Sequence, residues 1–364
     1  MTGTAPGGPL TRGAKMMVLH NNSGPHAGMV VALPDALELA RAIARSTGAT
    51  LAPAELRSFE DGEFKARPTL DPAGHHCVVV GLMHGDAMAS PQDRACRLLF
   101  LIAALKDHRA AQVDLLVPYL PYARKDRRTQ AFDPVSLRYL AQLLEAAGTG
   151  SVGTIEVHQP AAFDNAFRIP ARSLPGHQLL AGAVLESLGT LGSQRLVVAS
   201  PDPGGIKRAQ LWQQTLADMA GAAAREAPVG FSSVDKRRSL GVLSGANEVC
   251  GEVRGATVLL IDDLLVSGST LARASEAIVR AGAKRVVAAV MHDLRTLEAL
   301  GRLEAAGIER LITGDTLPPH GAQTGPAARI IVERAHCAHA LADWAFSDPY
   351  RARSNPEAPP PSSA

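Results

Sequence analysis

Short apolar runs recur along the chain, separated by stretches in which apolar residues return every third or fourth position. The runs MMVLH (16–20), HCVVVGLM (76–83), VDLLVP (113–118), TIEVH (154–158), RLVVAS (195–200), VGFSSV (229–234), ATVLLID (256–262), RVVAAVMH (285–292) and RLITG (310–314) are expected as strands. Between them, DALELARAIARSTG, CRLLFLIAALKDH, PVSLRYLAQLLEAAG and TLARASEAIVRAGA carry apolar residues at i, i+3, i+4 spacing and often end in Gly, which predicts amphipathic helices. Strands that alternate with helices form mostly parallel sheets covered on both faces, and ligands gather at the carboxyl ends of such strands.

The 364 residues are more than one core usually organises, so two α/β domains are expected. Two prolines and a glycine interrupt the periodic segments in FRIPARSLPG, which places the boundary near 165–175 and the division between 168 and 169. In each half a strand leads to a polar loop with His or Asp at its tip: Val157-His158 in the first, Ser200-Pro201-Asp202 and Asp262-Asp263 in the second. That likeness is too weak to establish a duplication. Residues 1–14 and 350–364 are rich in Gly, Pro, Ser and charge and are expected as disordered tails.

Composition narrows the function classes. With 46% hydrophobic residues, a formal charge of +2 and no stripe of Lys/Arg interleaved with aromatics, neither a disordered chain nor a nucleic-acid binder is suggested. The N-terminus lacks a signal peptide's apolar region, and no apolar stretch reaches the roughly 18–20 residues that cross a bilayer, so a soluble, cytoplasmic protein without a membrane partner is expected. Cys77, Cys96, Cys250 and Cys337 are far apart and form no C-x-x-C, which argues against a disulfide framework or a zinc site.

The stretch VLLIDDLLVSGSTLARA (258–274) carries the most chemistry: an apolar strand ends in Asp262-Asp263, and Ser267-Gly268-Ser269-Thr270 then opens a helix. A helix N-terminus presents unpaired N–H groups and partial positive charge, so that loop is a ready phosphate cradle, with Gly268 allowing close approach. The acids would repel a phosphate and suit sugar hydroxyls or metal-bound water instead. Solvated turn acids beside an ordinary helix cap are the alternative. Elsewhere, Phe59 on a Gly-containing turn suits stacking on a base, with Asp61 and Glu63 accepting from amino or ribose groups; a turn with one apolar anchor is the other reading. Arg124, Lys125, Arg127 and Arg128 form a cationic knot suited to a triphosphate, or else a solvated salt-bridged face. Lys236, Arg237 and Arg238 in VDKRR are either an exposed basic turn or a charge-bearing loop.

The apolar run, acid pair and Ser/Gly/Thr loop resemble the 5-phosphoribosyl 1-diphosphate (PRPP) motif of type I phosphoribosyltransferases and PRPP synthetases. SFEDGE (58–63), VPYLPYARKDR (117–127), SPDPGGIKRA (200–209) and VDKRR (234–238) are similar, in order, to segments of the ribose-phosphate diphosphokinase (PRPP synthetase) family, and the likeness spans roughly 16–346. The resemblance implies two phosphoribosyltransferase-like domains. Residues 15–168, joined by a C-terminal helix near 330–347, form the ATP side, and 169–329 hold the ribose 5-phosphate site. It implies transfer of the diphosphoryl group of Mg-ATP to O1 of ribose 5-phosphate, yielding PRPP and AMP for nucleotide biosynthesis. By the same resemblance Lys236 and Arg238 are catalytic, and Phe59, Asp61, Glu63, Arg124 and Lys125 bind ATP. Asp262, Asp263, Ser267, Gly268, Ser269 and Thr270 bind ribose 5-phosphate, while His158 and Asp202 serve Mg2+, the imidazole acting through water. The FEDGE loop reaches a neighbouring subunit's ATP, so a homo-oligomer is expected, a dimer or a hexamer of dimers. Departures from the family pattern are Glu156 for Asp, Lys125 for Gln, Val266, Ser269, the glycine-free stretch after His158 and the segment after Arg238. A catalytically weak regulatory relative and a phosphoribosyltransferase that consumes PRPP are the competing functions.

Overall fold

A computed structural model of the chain describes residues 28–189, 195–221, 228–239, 242–319 and 329–347; the side chains of 236–247 and 344–347 are outside the described residues. So are the expected tails and the strand expected at 16–20. The first half forms one sheet from β1 (Met29–Ala32), β2 (Thr50–Ser58), β3 (Phe64–Pro68), β4 (His76–Val80), β5 (Gln112–Leu116), β6 (Ser151–Ile155) and β7 (Ala171–Leu174), in the order β3-β2-β1-β4-β5-β6-β7. The second half forms another from β8 (Leu196–Ser200), β9 (Gly230–Ser239), β10 (Val242–Cys250), β11 (Thr257–Leu265), β12 (Arg285–Asp293), β13 (Ile308–Gly314) and β14 (Ile331–Ala335), in the order β10-β9-β8-β11-β12-β13-β14. The two orders coincide strand for strand. In each sheet the outer hairpin, β2–β3 or β9–β10, is antiparallel, and the remaining pairs are parallel.

Helices α1 (Leu37–Thr47), α2 (Pro91–Asp107), α3 (Ser136–Ala146), α4 (Pro160–Ala166), α5 (Gly176–Leu188), α6 (Ile206–Ala220), α7 (Ser269–Arg280), α8 (Ala299–Ala305) and α9 (Ala340–Ser347) cover the sheets. The expected periodicities hold in detail. In α1 Ala40, Ile43 and Ala44 face the core, and Gly48 ends the helix in left-handed backbone. A capping box starts α2, with Asp93 N–H donating to Ser90 Oγ (3.1 Å) and Ser90 N–H to Asp93 Oδ2 (2.8 Å). The central strands β4 and β11 are nearly continuous apolar runs because helices bury both of their faces.

The halves exchange helices. Helix α5 follows the last strand of the first sheet yet packs on α6, β12 and β13; α9 follows the last strand of the second sheet yet packs on α1, β5 and β6. The inner faces therefore share a single hydrophobic cluster that includes Val30, Leu116, Ile155, Leu180, Val198, Leu259, Met291 and Leu341. Leu180 and Leu341 are fully buried in it, each worth about 1.5–3 kcal/mol of transfer free energy.

Several expectations need correction. Strand β6 stops at Ile155, because Glu156 turns into left-handed backbone at φ 38°, so His158 lies on a loop. Strand β11 runs on to Leu265, which puts Asp262 and Asp263 inside the strand's last stretch, where Asp262 pairs with Val290 and Leu264 with His292 of β12. The first sheet takes in β7 up to Leu174, past the division expected after 168. Strands β1, β2, β3, β7, β10 and β14 were not anticipated within the described residues. Most of them are outer strands with one wet face, so their sequences lack a long apolar run.

Candidate functional site

The carboxyl ends of both sheets face a cleft of about 960 Å³ lined by Arg124 and Arg127, His158, Asp202, Gly204, Asp235, Glu248, Thr270 and Arg273, among others. Two smaller cavities, about 190 and 520 Å³, adjoin it through Arg124 and His158; both include Lys125, and Asp263 opens on the smaller. The knot at 124–128 is thus sorted by position: Arg124, Lys125 and Arg127 face cavities, whereas Arg128 Nε donates to the Asp133 carbonyl (3.1 Å) and braces its own loop. Asp126 lines the 520 Å³ cavity beside them.

Strand β8 delivers Asp202 to the cleft. Its Oδ1 caps the short 3-10 turn that follows, accepting from Gly205 N–H at 3.1 Å, which leaves Oδ2 for another partner. Beyond β6, His158 Nδ1 lies 3.0 Å from Asp263 Oδ2, a contact in which the ring N–H donates to the carboxylate. In the neutral ring Nε2 is then the acceptor. Within the described residues no group of three or more His, Cys, Asp or Glu side chains is arranged to hold a metal ion.

The acid pair splits into unequal partners. Burial would raise Asp263, but its hydrogen bond to His158 and the charge of Arg208 override that and hold its carboxyl far below the usual range. Asp262 moves the other way, because burial and the adjacent Asp263 both disfavour its ionisation. Arg208 Nη1 stands 3.5 Å from Asp263 Oδ1 and 3.9 Å from Asp262 Oδ1. Nearby, the phenol of the half-buried Tyr119 is raised by desolvation, and its ring meets His292 edge-on at 5.0 Å.

The loop after β11 folds as a helix entrance. Gly268 adopts left-handed backbone at φ 72° and caps α7, and a Cβ there would come within 3.2 Å of Leu303. Ser267 Oγ donates to Ser269 Oγ (3.1 Å), and Arg302 Nη1 ties the Ser267 carbonyl at 2.7 Å. Thr270 is the loop residue that lines the large cleft. In the first half the corresponding crossing point, between β1 and β4, is filled by the chain itself: buried Arg94 pairs with Asp35 and with Asp86 (2.6 Å), and His84 Nε2 lies 3.3 Å from Asp86. The second crossing point, by contrast, opens on the large cleft through Asp202, Gly204 and Thr270.

Three predicted residues stand apart. Phe59, Asp61 and Glu63 form the tip of the β2–β3 hairpin, where Phe59 N–H donates to the Glu63 carbonyl (2.8 Å) and Arg57 covers the Phe59 ring at 5.1 Å; none lines these cavities. The side chains of Lys236 and Arg238 are outside the described residues. Their backbone continues β9 directly from Val234 and Asp235, which line the cleft, and pairs with Asn247 and Leu243 of β10. By topology this hairpin is the second half's counterpart of the one carrying Phe59.

Sequence reasoning singled out neither Arg208 nor His292 as site residues. Arg208 sits inside GGIKRA, where its place two positions into α6 was the available signal. His292 donates from Nε2 to the carbonyls of Ile155 (3.1 Å) and Glu156 (3.0 Å), and burial lowers its affinity for a second proton. Contacts across so many residues leave no local pattern to read.

Comparison with known proteins follows the same division of the chain. Residues 29–148 match the N-terminal domain of ribose phosphate pyrophosphokinase, and residues 175–301 match the phosphoribosyl transferase domain. The chain is 31% identical over 317 residues to ribose-phosphate pyrophosphokinase 1 of Streptococcus pneumoniae, covering 86% of this chain and 91% of the relative. Identity to the Streptococcus agalactiae protein of the same name is 31% over 289 residues, 79% and 84% of the two chains. The crystal structure of phosphoribosylpyrophosphate synthetase from Mycobacterium smegmatis superposes with a TM-score of 0.74 at 27% identity, over 90% of this chain and 99% of that one. Two sheets of one topology, a cation-lined cleft between them and relatives matched along nearly their whole length lead to one assignment: the chain is an enzyme of the ribose-phosphate pyrophosphokinase family.

Proposed function

We propose that the enzyme transfers the diphosphoryl group of Mg-ATP to O1 of ribose 5-phosphate, giving PRPP and AMP. The observation that carries this reading is the convergence of Arg124, Arg127, His158, Asp202 and Thr270 on one cleft between the halves, with Asp263 beside it. Asp262 and Asp263 accept hydrogen bonds from the 2- and 3-hydroxyls of the pentose, and Ser267, Gly268, Ser269 and Thr270 at the entrance of α7 receive its 5-phosphate. Arg124, Lys125 and Arg127 hold the triphosphate, and Lys236 and Arg238 bring further positive charge on the β9–β10 hairpin. The sugar O1 forms its bond to the β-phosphorus as the bond from that phosphorus to the bridging α-phosphate oxygen breaks; AMP departs, and the O1 proton passes to solvent. Positioning and charge neutralisation suffice for such a transfer, so no strong base is required.

Mg2+ fits the donor set. Asp202 Oδ2 and the second nitrogen of His158 are left over from their hydrogen bonds, and a hard ion that keeps its waters suits two such residues better than a closed protein cage does. When bound, the ion neutralises polyphosphate charge. Phe59, Asp61 and Glu63, remote from the cleft of their own chain, serve ATP in a neighbouring copy of a homo-oligomer, a dimer or a hexamer. The expected cytoplasmic location accords with substrates that are intracellular metabolites.

Incubation of the purified protein with Mg-ATP and ribose 5-phosphate, with both products quantified, tests the reading. Equal amounts of AMP and PRPP are expected. A folded protein that forms no AMP, or one that consumes added PRPP with a nucleobase, would refute it in favour of a regulatory relative or a phosphoribosyltransferase respectively.

A further inference from the structure

Arg124, Lys125 and Arg127 belong to the first half and the acid pair to the second, so catalysis requires something to fix one against the other. The contacts converge on Glu156. Its backbone lies at φ 38°, a region unfavourable for a residue with a side chain. Three groups of the second half hold it there. His292 Nε2 donates to its carbonyl at 3.0 Å, Gly176 N–H at the start of α5 donates to Oε2, and Arg208 Nε donates to Oε1 at 2.7 Å. A Cβ at position 176 would stand 2.7 Å from Glu156 Oε2, so a larger residue there would have to push that carboxylate aside.

Arg208 carries the connection onward. Its side chain is only 12% exposed, and its Nη2 donates to the carbonyl of His158 at 3.1 Å while Nη1 faces Asp263 and Asp262 at 3.5 and 3.9 Å. One planar group of the second half thus touches the turn that carries His158 and the carboxylate that anchors that turn, both in the first half, and faces both acids of its own half. A guanidinium suits this task because its donors point in fixed, divergent directions; an ammonium offers charge without that rigid fork.

We propose that Arg208, seated on Glu156, is a positioning residue that sets the distance between His158 and the acid pair and so aligns the polyphosphate with the sugar O1. The inference rests on the proposed reaction and adds to it a residue that contacts neither reacting atom. Because reactivity falls steeply with misalignment, about 10²-fold for roughly 1 Å, the loss belongs in turnover and not in the binding of either substrate.

The test uses the full-length protein with Arg208→Lys and Glu156→Gln. For each, kcat and both KM values are measured, together with calorimetric titration of ribose 5-phosphate alone and of a non-hydrolysable ATP analogue alone. Arg208→Lys is expected to lower kcat about 10²-fold while each ligand binds as to the wild type. Glu156→Gln, which keeps the shape and one hydrogen bond, is expected to fall between. If Arg208→Lys melts below the assay temperature, Glu156→Gln is read by the same criteria. Wild-type turnover in either folded variant overturns the inference, as does a loss traceable to weakened binding of one ligand. A folded wild-type protein without PRPP-forming activity would instead refute the reaction itself, so the two failures are distinct.

Discussion

The unequal acid pair yields a prediction in which two similar substitutions differ. Asp263 is 5% exposed and its carboxylate meets both Arg208 and His158, whereas Asp262 is less buried and, driven by burial and its neighbour's charge, holds its proton to higher pH. Asp263→Asn removes the charge and turns an amide NH2 toward Arg208 or His158. Breaking a buried pair costs about 3–5 kcal/mol, and because Glu156 still holds Arg208 the lower end, about 3 kcal/mol, is expected. At about 2–4 °C per kcal/mol for a domain of this size, the melting midpoint falls by about 6–12 °C. Asp262→Asn copies the protonated acid and is expected to cost about 1 kcal/mol or less. The pH dependence separates them further. The lowered Asp263 contributes stability that is present above the unfolded carboxylate value, about 3.9, and is lost as pH falls through its folded value. The raised Asp262 does the reverse, since stability declines as pH rises from about 3.9 through its folded value. Relative to wild type, Asp262→Asn therefore improves as pH rises above about 3.9, while the Asp263→Asn deficit is constant there and shrinks only as pH falls below it. Urea unfolding of the three proteins between pH 3 and pH 8 measures this; equal losses at pH 7, or an Asp262→Asn difference that stays flat above pH 4, would refute the assignment.

Arg124→Gln should raise the KM for ATP about tenfold or more, the loss of one charge-assisted contact of about 1.5–3 kcal/mol, with the KM for ribose 5-phosphate little changed in initial-rate assays. Leu341→Ala, near the end of the chain, should destabilise the shared core by about 2–5 kcal/mol in urea melts; a loss under 1 kcal/mol would argue against the helix exchange. Asp315 accepts N–H bonds from Cys337 and Ala338, both at 2.7 Å, and although burial opposes its charge these bonds hold its carboxyl low. Asp315→Ala should accordingly cost about 1–3 kcal/mol at pH 7, and the deficit against wild type should shrink as the medium is acidified below about pH 4.

Much of the site was legible because it is written in contiguous segments. The run from Val258 to Thr270 specifies a buried strand, two acids and a helix entrance by nearest-neighbour chemistry, and 122–128 and 200–205 are equally local. Edge strands were illegible for the opposite reason. Thr50–Ser58 contains Pro53, keeps only alternate residues covered and is a strand because β1 and β3 lie on either side of it. The expected tip at His158 was misplaced because Glu156 turns under hydrogen bonds from His292, a residue far along the chain.

By itself the sequence determined the alternation of strands and helices, the apolar faces and the acid pair followed by a helix entrance, since periodicity and helix-entrance chemistry act over a few residues. Tertiary structure alone decided that the sheets repeat one strand order, that α5 and α9 are exchanged, that Arg94 fills the first crossing point, and that Arg208 joins Glu156 to the acid pair. These depend on burial and charge pairing between segments far apart in the chain, where a group's partner, and with it the group's energy, exists only once the halves have packed.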